Sequence, residues 1–267
     1  MAIYTGTITL DVARTVKPGK VVGIDPDRGS IENAREWLAQ QTGVGNVSFQ
    51  VGDSHTLDFP DNTFDLVYSH TVVHFFLDPI AALKEQARVT KPRGWVVVSG
   101  LREWIYSVRN PPCPNWDRYM EAGRLYSEAV LKAFQSSGLH PMEYTRQKMA
   151  LNPTHMHYMD RHAGKKCAGW LVDAGLMDLR MSVKAECLRY QGSPDMEPYS
   201  MWDLLPVDSP EKPIELEIAL NAQKMIADGL LDSSTLQRAK KEIEAWYNDP
   251  HAFFCNILVF GAGRKSG

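Results

Sequence analysis

Cysteine is scarce in this chain. Four residues in 267 (Cys113, Cys167, Cys187 and Cys255) stand far apart, with no CxxC spacing. That argues against a disulfide framework or a structural zinc site and suits a reducing compartment, so a cytoplasmic location is expected. Long apolar runs are also missing. Nothing approaches the ~20 residues needed to cross a bilayer, and no charged-then-apolar leader opens the chain, so neither a membrane span nor an export signal is expected. Charge of one sign is lacking too. A net charge of −3 gives no electrostatic ground for a nucleic-acid partner. Internal repeats and low-complexity tracts are absent, which removes solenoids and disordered arrays from consideration. One further absence matters more. Ahead of the first acid-terminated apolar strand there is no Gly-rich strand-to-helix turn.

That strand is Val21-Val22-Gly23-Ile24-Asp25. An apolar run ending in a carboxylate reads as a buried strand with one acid at its C-terminal edge. In doubly wound sheets that edge binds nucleotide cofactors, and such an acid accepts hydrogen bonds from ribose hydroxyls. The chain is long enough for one large α/β domain, or for a domain plus a cap. Seven Trp and eleven Met suit an apolar ligand pocket, and ordinary packing accounts for them at least as well.

Residues 1–105 alternate β-rich runs with helical stretches, the pattern of a parallel sheet with crossover helices. Helix is expected from Ile8 to Val16, from a cap at Ser30 to about Gln41, and from Asp78-Pro79 to about Thr90. Strands are expected at Val21–Ile24, Val47–Val51, Phe64–Tyr68 and Trp95–Ser99, with Lys91-Pro92-Arg93-Gly94 as a turn. Over 106–163 the alternation breaks down. A loop at Pro111-Pro112-Cys113-Pro114 leads into a long helix from Trp116 to Ser137, and the block reads as a lid over a substrate. Over 164–267 the core pattern resumes. It holds a helix from Gly164 to Ala174, a strand from Met177 to Leu188 and a Pro-rich loop from Gln191 to Pro213. Helices at Ile214–Ala227 and Ser233–Tyr247 and a closing strand at Phe253–Phe260 follow.

The order of these motifs resembles a class I S-adenosyl-L-methionine-dependent methyltransferase of the ubiquinone/menaquinone C-methyltransferase-like subgroup. Gly23-Ile24-Asp25-Pro26 is similar to the family's second strand and its ribose-binding acid. Val51-Gly52-Asp53-Ser54, Leu57 and Phe59 through Val67 resemble the adenine-contacting segment and the fourth strand. Ser69-His70 through Val73-His74-Phe75 resemble the loop after it. Leu83-Lys84-Glu85, Arg88-Val89 and Lys91-Pro92-Arg93-Gly94 complete the pattern. The resemblance implies a Rossmann-like α/β sheet with flanking helices and S-adenosylmethionine as cofactor. It implies contacts from Gly6, Asp25, Pro26, Asp53, Ser54, Ser69 and His70. Asp25 would accept two ribose hydroxyls, Asp53 the adenine amino group, and the backbone at Ser54 would meet the ring edge. Read alone, Asp25 could instead cap the following helix and Asp53 could belong to a turn.

The departures are specific. Gly6-Thr7-Ile8-Thr9 is similar to the end of the family's GxGxG-type loop, with Gly6 as its last glycine. Only five residues precede it, too few at ~3.3 Å each for a strand plus a loop. The family's first, central strand is therefore expected to be missing, leaving ladder groups unpaired on two neighbours. Arg93 stands where the family has glycine. Two readings stay open: a truncated form of a full methyltransferase, or a natural variant with lost or weakened cofactor use.

Methyl transfer needs the acceptor aligned with the methyl group, water excluded and, for some acceptors, a base. His70 and His74, four apart after the fourth strand, are the candidates, and His74 is the expected base. Each is otherwise a packing histidine. His155, His157, Asp160 and His162 form a second cluster in the lid. His-x-His on a strand can bind zinc, but orienting a substrate or moving a proton is the expected use, and no metal is expected. The expected function is methyl transfer to a small, fairly apolar metabolite, as in secondary metabolism. The alternative is a methyltransferase-like protein that does not methylate: a cyclase- or isomerase-type catalyst, or a small-molecule-binding protein.

Overall fold

A computed structural model describes residues 7–106, 113–151, 158, 160, 162–189, 222–247 and 253–267. The chain divides into two compact units. The first comprises Met1–Arg102, Arg161–Val183 and Leu258–Gly267, and the second Glu103–Asp160 and Lys184–Ile257. The sequence boundaries differ from these, because residues 184–257 group with 103–160 rather than with the core strands.

The first unit follows the expected alternation. Its elements are α1 (Thr7–Thr15), β1 (Val21–Asp25), α2 (Arg28–Ala39), β2 (Val47–Val51), β3 (Phe64–His70), α3 (Pro79–Val89) and β4 (Thr90–Tyr106). It is completed by α6 (Ala163–Asp173) and most of β5 (Met177–Arg189) and β6 (Phe253–Arg264). β1 and β2 pair in parallel, with Asp25 opposite Val51. A second sheet runs in the order β3-β4-β6-β5, with β3 and β4 parallel. Gly6 lies outside the described residues.

Each element has a local cause. α2 begins three residues earlier than a cap at Ser30 would put it. Asp27 is the cap, its Oδ2 accepting from the Ser30 N–H at 2.7 Å. Asp78 caps α3 by accepting from the Ala81 N–H at 2.9 Å, with Pro79 in the first turn. α2 buries Ile31 and Ala34 against Phe49 of β2. Ile24, Leu57 and Val89 form the core between β1, α3 and the 53–61 loop, flanked by Val22, Phe59, Phe64 and Val67. Lys265 closes the C-terminus of α3, its ammonium donating to Arg88 O (3.0 Å), Thr90 O (2.8 Å) and Asn62 Oδ1 (2.9 Å).

The Lys91–Gly94 segment is not a free turn. It forms the start of β4, with a register irregularity between Phe64 and Leu66 on the neighbouring strand. Arg93 sits there at φ 64°, in the left-handed region where glycine is the easy residue. At Gly94 a Cβ would lie 2.7 Å from Asp65 O, so this glycine is required by close approach.

Besides the ends of β4, β5 and β6, the described residues of the second unit form helices: α4 (Pro114–Ser137), α5 (Pro141–Leu151), α7 (described over 222–227) and α8 (Ser233–Tyr247). Sequence patterning missed α5. Trp116, Tyr119, Ala122 and Tyr126 of α4 pack with Ala222, Met225, Leu231 and Ala239. The Gln191–Pro213 loop lies outside the described residues.

Candidate cofactor and acid–base site

The candidate residues gather at the C-terminal ends of β1, β2 and β3. Asp25 ends β1 and is buried (5% exposed). Asp27 does the helix capping, so Asp25 is not the cap. Its Oδ1 accepts from the Asp27 N–H at 2.9 Å, and its carbonyl accepts from the Gly52 N–H at 3.0 Å. These bonds tie the end of β1 to the chain leaving β2. Pro26 follows in the exposed turn before α2.

Asp53 leaves β2 in a tight turn closed by a bridge to Thr56. Its Oδ1 accepts from the His55 N–H at 2.9 Å and lies 2.9 Å from His55 Nδ1. The imidazole is almost wholly buried, its ring edge-on to Phe76 at 5.0 Å. His55 therefore fixes the Asp53 carboxylate, a role that sequence reading missed. An acid and an imidazole two residues apart after a strand were the available signal. Ser54 is half-buried in the same turn.

The rest of that loop is strapped to α3. The Leu57 N–H donates to Glu85 Oε1 at 2.8 Å, and Arg88 Nη2 donates to Leu57 O at 2.9 Å. Arg88 Nη1 reaches Phe59 O (3.0 Å) and Asp61 Oδ1 (2.6 Å), while Nε and Nη2 reach the Glu85 carboxylate at 2.8 and 2.7 Å. All five guanidinium N–H groups are thus engaged. The Arg88 guanidinium, through its hydrogen bond, holds the Glu85 carboxyl below the usual glutamate range. Glu85 and Arg88 were legible as an i,i+3 pair, but their grip on a loop backbone was not.

β3 sends alternate side chains to opposite faces. Ser69 is buried and donates its hydroxyl to Gln86 Oε1 of α3 at 3.2 Å. The geometry thus engages Ser69 with α3 rather than with the cluster formed by its neighbours. Tyr68 and His70 lie on the other face with Ser99 of β4. Tyr68 Oη is 3.0 Å from His70 Nδ1 and 2.7 Å from Ser99 Oγ, which is itself 2.8 Å from His70 Nδ1. His74 lies in a 3₁₀ turn (Val73–Phe75), its ring 4.1 Å from that of Phe75. Of the second histidine cluster, His155 and His157 lie outside the described residues, and His162 is exposed just before α6.

The donor set suits a nucleoside-bearing cofactor. A buried and a half-buried carboxylate at the ends of adjacent parallel strands are acceptors for hydroxyl and amino groups. The family model described as a methyltransferase domain matches residues 2–98. That segment is similar to the class I methyltransferases, a family that uses S-adenosylmethionine.

An uncharacterized methyltransferase of Schizosaccharomyces pombe is 31% identical over 176 residues, covering 63% of this chain and 52% of the relative. A ubiquinone/menaquinone biosynthesis C-methyltransferase of Geobacter sulfurreducens is 30% identical over 99 residues, covering 37% of this chain and 39% of the relative. The chain thus spans about half or less of the length of these relatives. A crystal structure assigned as a methyltransferase of Bacillus halodurans matches with a TM-score of 0.52 at 14% identity, covering 100% of this chain and 90% of that one. That likeness shows the fold: a mixed α/β methyltransferase architecture with sheets flanked by helices. Among the described residues no helix is long and apolar enough to cross a membrane.

Proposed function

We propose that this protein transfers the methyl group of S-adenosylmethionine to a small, fairly apolar metabolite. The observation that carries the reading is the pair of carboxylates, Asp25 buried at the end of β1 and Asp53 fixed by His55 after β2. Asp25 would hold the ribose hydroxyls and Asp53 the adenine amino group, with Pro26 and Ser54 shaping the two turns. Glu85 and Arg88 keep the Asp53 loop in place without touching the ligand.

When bound, the cofactor supplies an electrophilic methyl group on a sulfonium. The residues around it orient the acceptor and exclude water. Where the acceptor carries a proton, a histidine at the end of β3 or just beyond it, His70 or His74, takes it. Quinones enter as acceptors because two kinds of named relatives, the Geobacter protein and a demethylmenaquinone methyltransferase of Symbiobacterium thermophilum, act on them. Polyketides, terpenoids and peptide-derived metabolites share that apolar character. The few, widely spaced cysteines suit action in the cytosol.

Calorimetric titration of the chain with S-adenosylmethionine and its demethylated product tests the reading. Binding in the micromolar range is expected. Asp25→Ala should weaken it at least about tenfold, the loss of one charge-assisted hydrogen bond. A chain that unfolds cooperatively yet takes up neither ligand would sink methyl transfer and leave a repurposed fold.

A further inference from the structure

We propose that His70 is the general base of this site, held by Tyr68 and Ser99 in the tautomer that leaves Nε2 as its proton acceptor. The proposal rests on the methyl-transfer reading.

Its ground is the closed triangle formed by Tyr68 Oη, Ser99 Oγ and His70 Nδ1, with sides of 2.7, 2.8 and 3.0 Å. Each contact is short enough to be a hydrogen bond. The two hydroxyls bring two protons, which can serve only two of the three contacts. If Nδ1 were bare, one oxygen would face it with no proton between them. A proton on Nδ1 supplies the third, shared between the two oxygens, while one hydroxyl donates to the other. The basic lone pair of the neutral ring is then on Nε2. Both hydroxyl oxygens can go on accepting from Nδ1–H once the ring becomes imidazolium, so the triangle stays satisfied when Nε2 takes a proton.

The backbone around the triangle is specialised. His70 is the last residue of β3 and pairs with Ser99 across the parallel ladder. The C-terminal edge of parallel strands is where open α/β sheets bind ligands. Thr71 follows at φ 50°, a costly conformation for a β-branched residue, with its N–H donating to Ser99 O at 2.8 Å. Gly100 follows Ser99 at φ 72°. A Cβ there would lie 2.4 Å from Thr71 Cγ2 and 3.5 Å from His70 Cε1. The chain thus turns sharply after both strands and stays bare beside the imidazole.

Nε2 takes the proton that the acceptor loses as the acceptor's electron pair bonds the methyl carbon. The carbon–sulfur pair returns to sulfur, leaving a neutral thioether, and the positive charge ends on the imidazolium. Tyr68 and Ser99 touch neither partner and are positioning residues.

The test has two arms on the full chain. Nitrogen-15 NMR of histidine-labelled protein reads the tautomer directly. The wild type should carry the neutral His70 proton on Nδ1, and the Tyr68→Phe/Ser99→Ala double variant should shift it to Nε2. A wild-type His70 protonated on Nε2 overturns the proposal, whether or not a methyl acceptor is in hand. The second arm follows single-turnover transfer of labelled methyl to a naphthohydroquinone probe. With the cofactor saturating, His70→Gln should lower the rate by ~10²–10⁴-fold, and the Tyr68 and Ser99 variants by less. A full rate in His70→Gln, or a loss confined to His74→Gln, overturns it. Wild-type protein that binds no cofactor defeats the methyl-transfer reading instead.

Discussion

The first turn of α4 is capped by a residue 126 positions away, which makes Glu242 the sharpest stability test in the molecule. The cap residue by position is Cys113, whose thiol makes no capping bond and donates instead to the Glu242 carbonyl at 3.7 Å. The Glu242 carboxylate accepts from the Asn115 N–H (2.8 Å), the Trp116 N–H (3.0 Å) and Asn115 Nδ2 (2.5 Å). Pro114 has no N–H to satisfy. Asn115 and Trp116 are thus the first donors of the helix left without an intrahelical partner. An ordinary cap is worth ~1 kcal/mol, and hydrogen bonds to a charged group ~1.5–3 kcal/mol. The negative charge at a helix N-terminus adds ~0.3–1 kcal/mol. Asn115 is only half-buried, so water recovers part of the loss. Glu242→Ala should therefore cost ~2 kcal/mol and Glu242→Gln, which keeps one acceptor oxygen, ~1 kcal/mol. Urea unfolding followed by tryptophan fluorescence measures the cost. Hydrogen exchange of the 114–126 segment localises it, with protection falling there first. A Glu242→Ala shift below ~0.5 kcal/mol with unchanged exchange would refute the capping argument.

Arg93→Gly should stabilise the first unit by ~0.5–1 kcal/mol, because Arg93 occupies a left-handed conformation at φ 64° that costs glycine nothing. A lower urea midpoint in the variant would show that the arginine side chain outweighs its backbone strain. Cys167 is buried beneath β6, and burial pushes its thiol up to about 11 from an ordinary 9.0. Between these values the unfolded chain has released the proton that the folded chain keeps. Stability should therefore fall as pH rises from about 9 to about 11, by at most ~1.4 kcal/mol per pH unit. Cys167→Ser should flatten that slope, and an unchanged slope would place its origin elsewhere.

Much of the first unit was legible because its elements are locally consistent. The strands at Val21, Val47 and Phe64 and the helix after Asp78 carry both the apolar pattern and the end signals that the fold uses. The helix cap was read three residues late, at Ser30 instead of Asp27, because both residue types cap and only φ/ψ separates them. The turn expected at Lys91–Gly94 became strand because pairing with Lys265 overrode its local chemistry.

By itself the sequence determined the order of strands and helices, the acids at the ends of β1 and β2, and the family that their spacing resembles. These follow from periodicity and end chemistry, which act over a few residues. Only the tertiary structure decided what those side chains do. Strand alternation sent Ser69 toward α3 and placed Tyr68 and His70 beside Ser99 on the other face. Arg88 reached back to the 57–61 loop, and Glu242 to the start of α4. Such contacts join residues from 17 to 127 positions apart. They depend on register and packing, which no local pattern encodes.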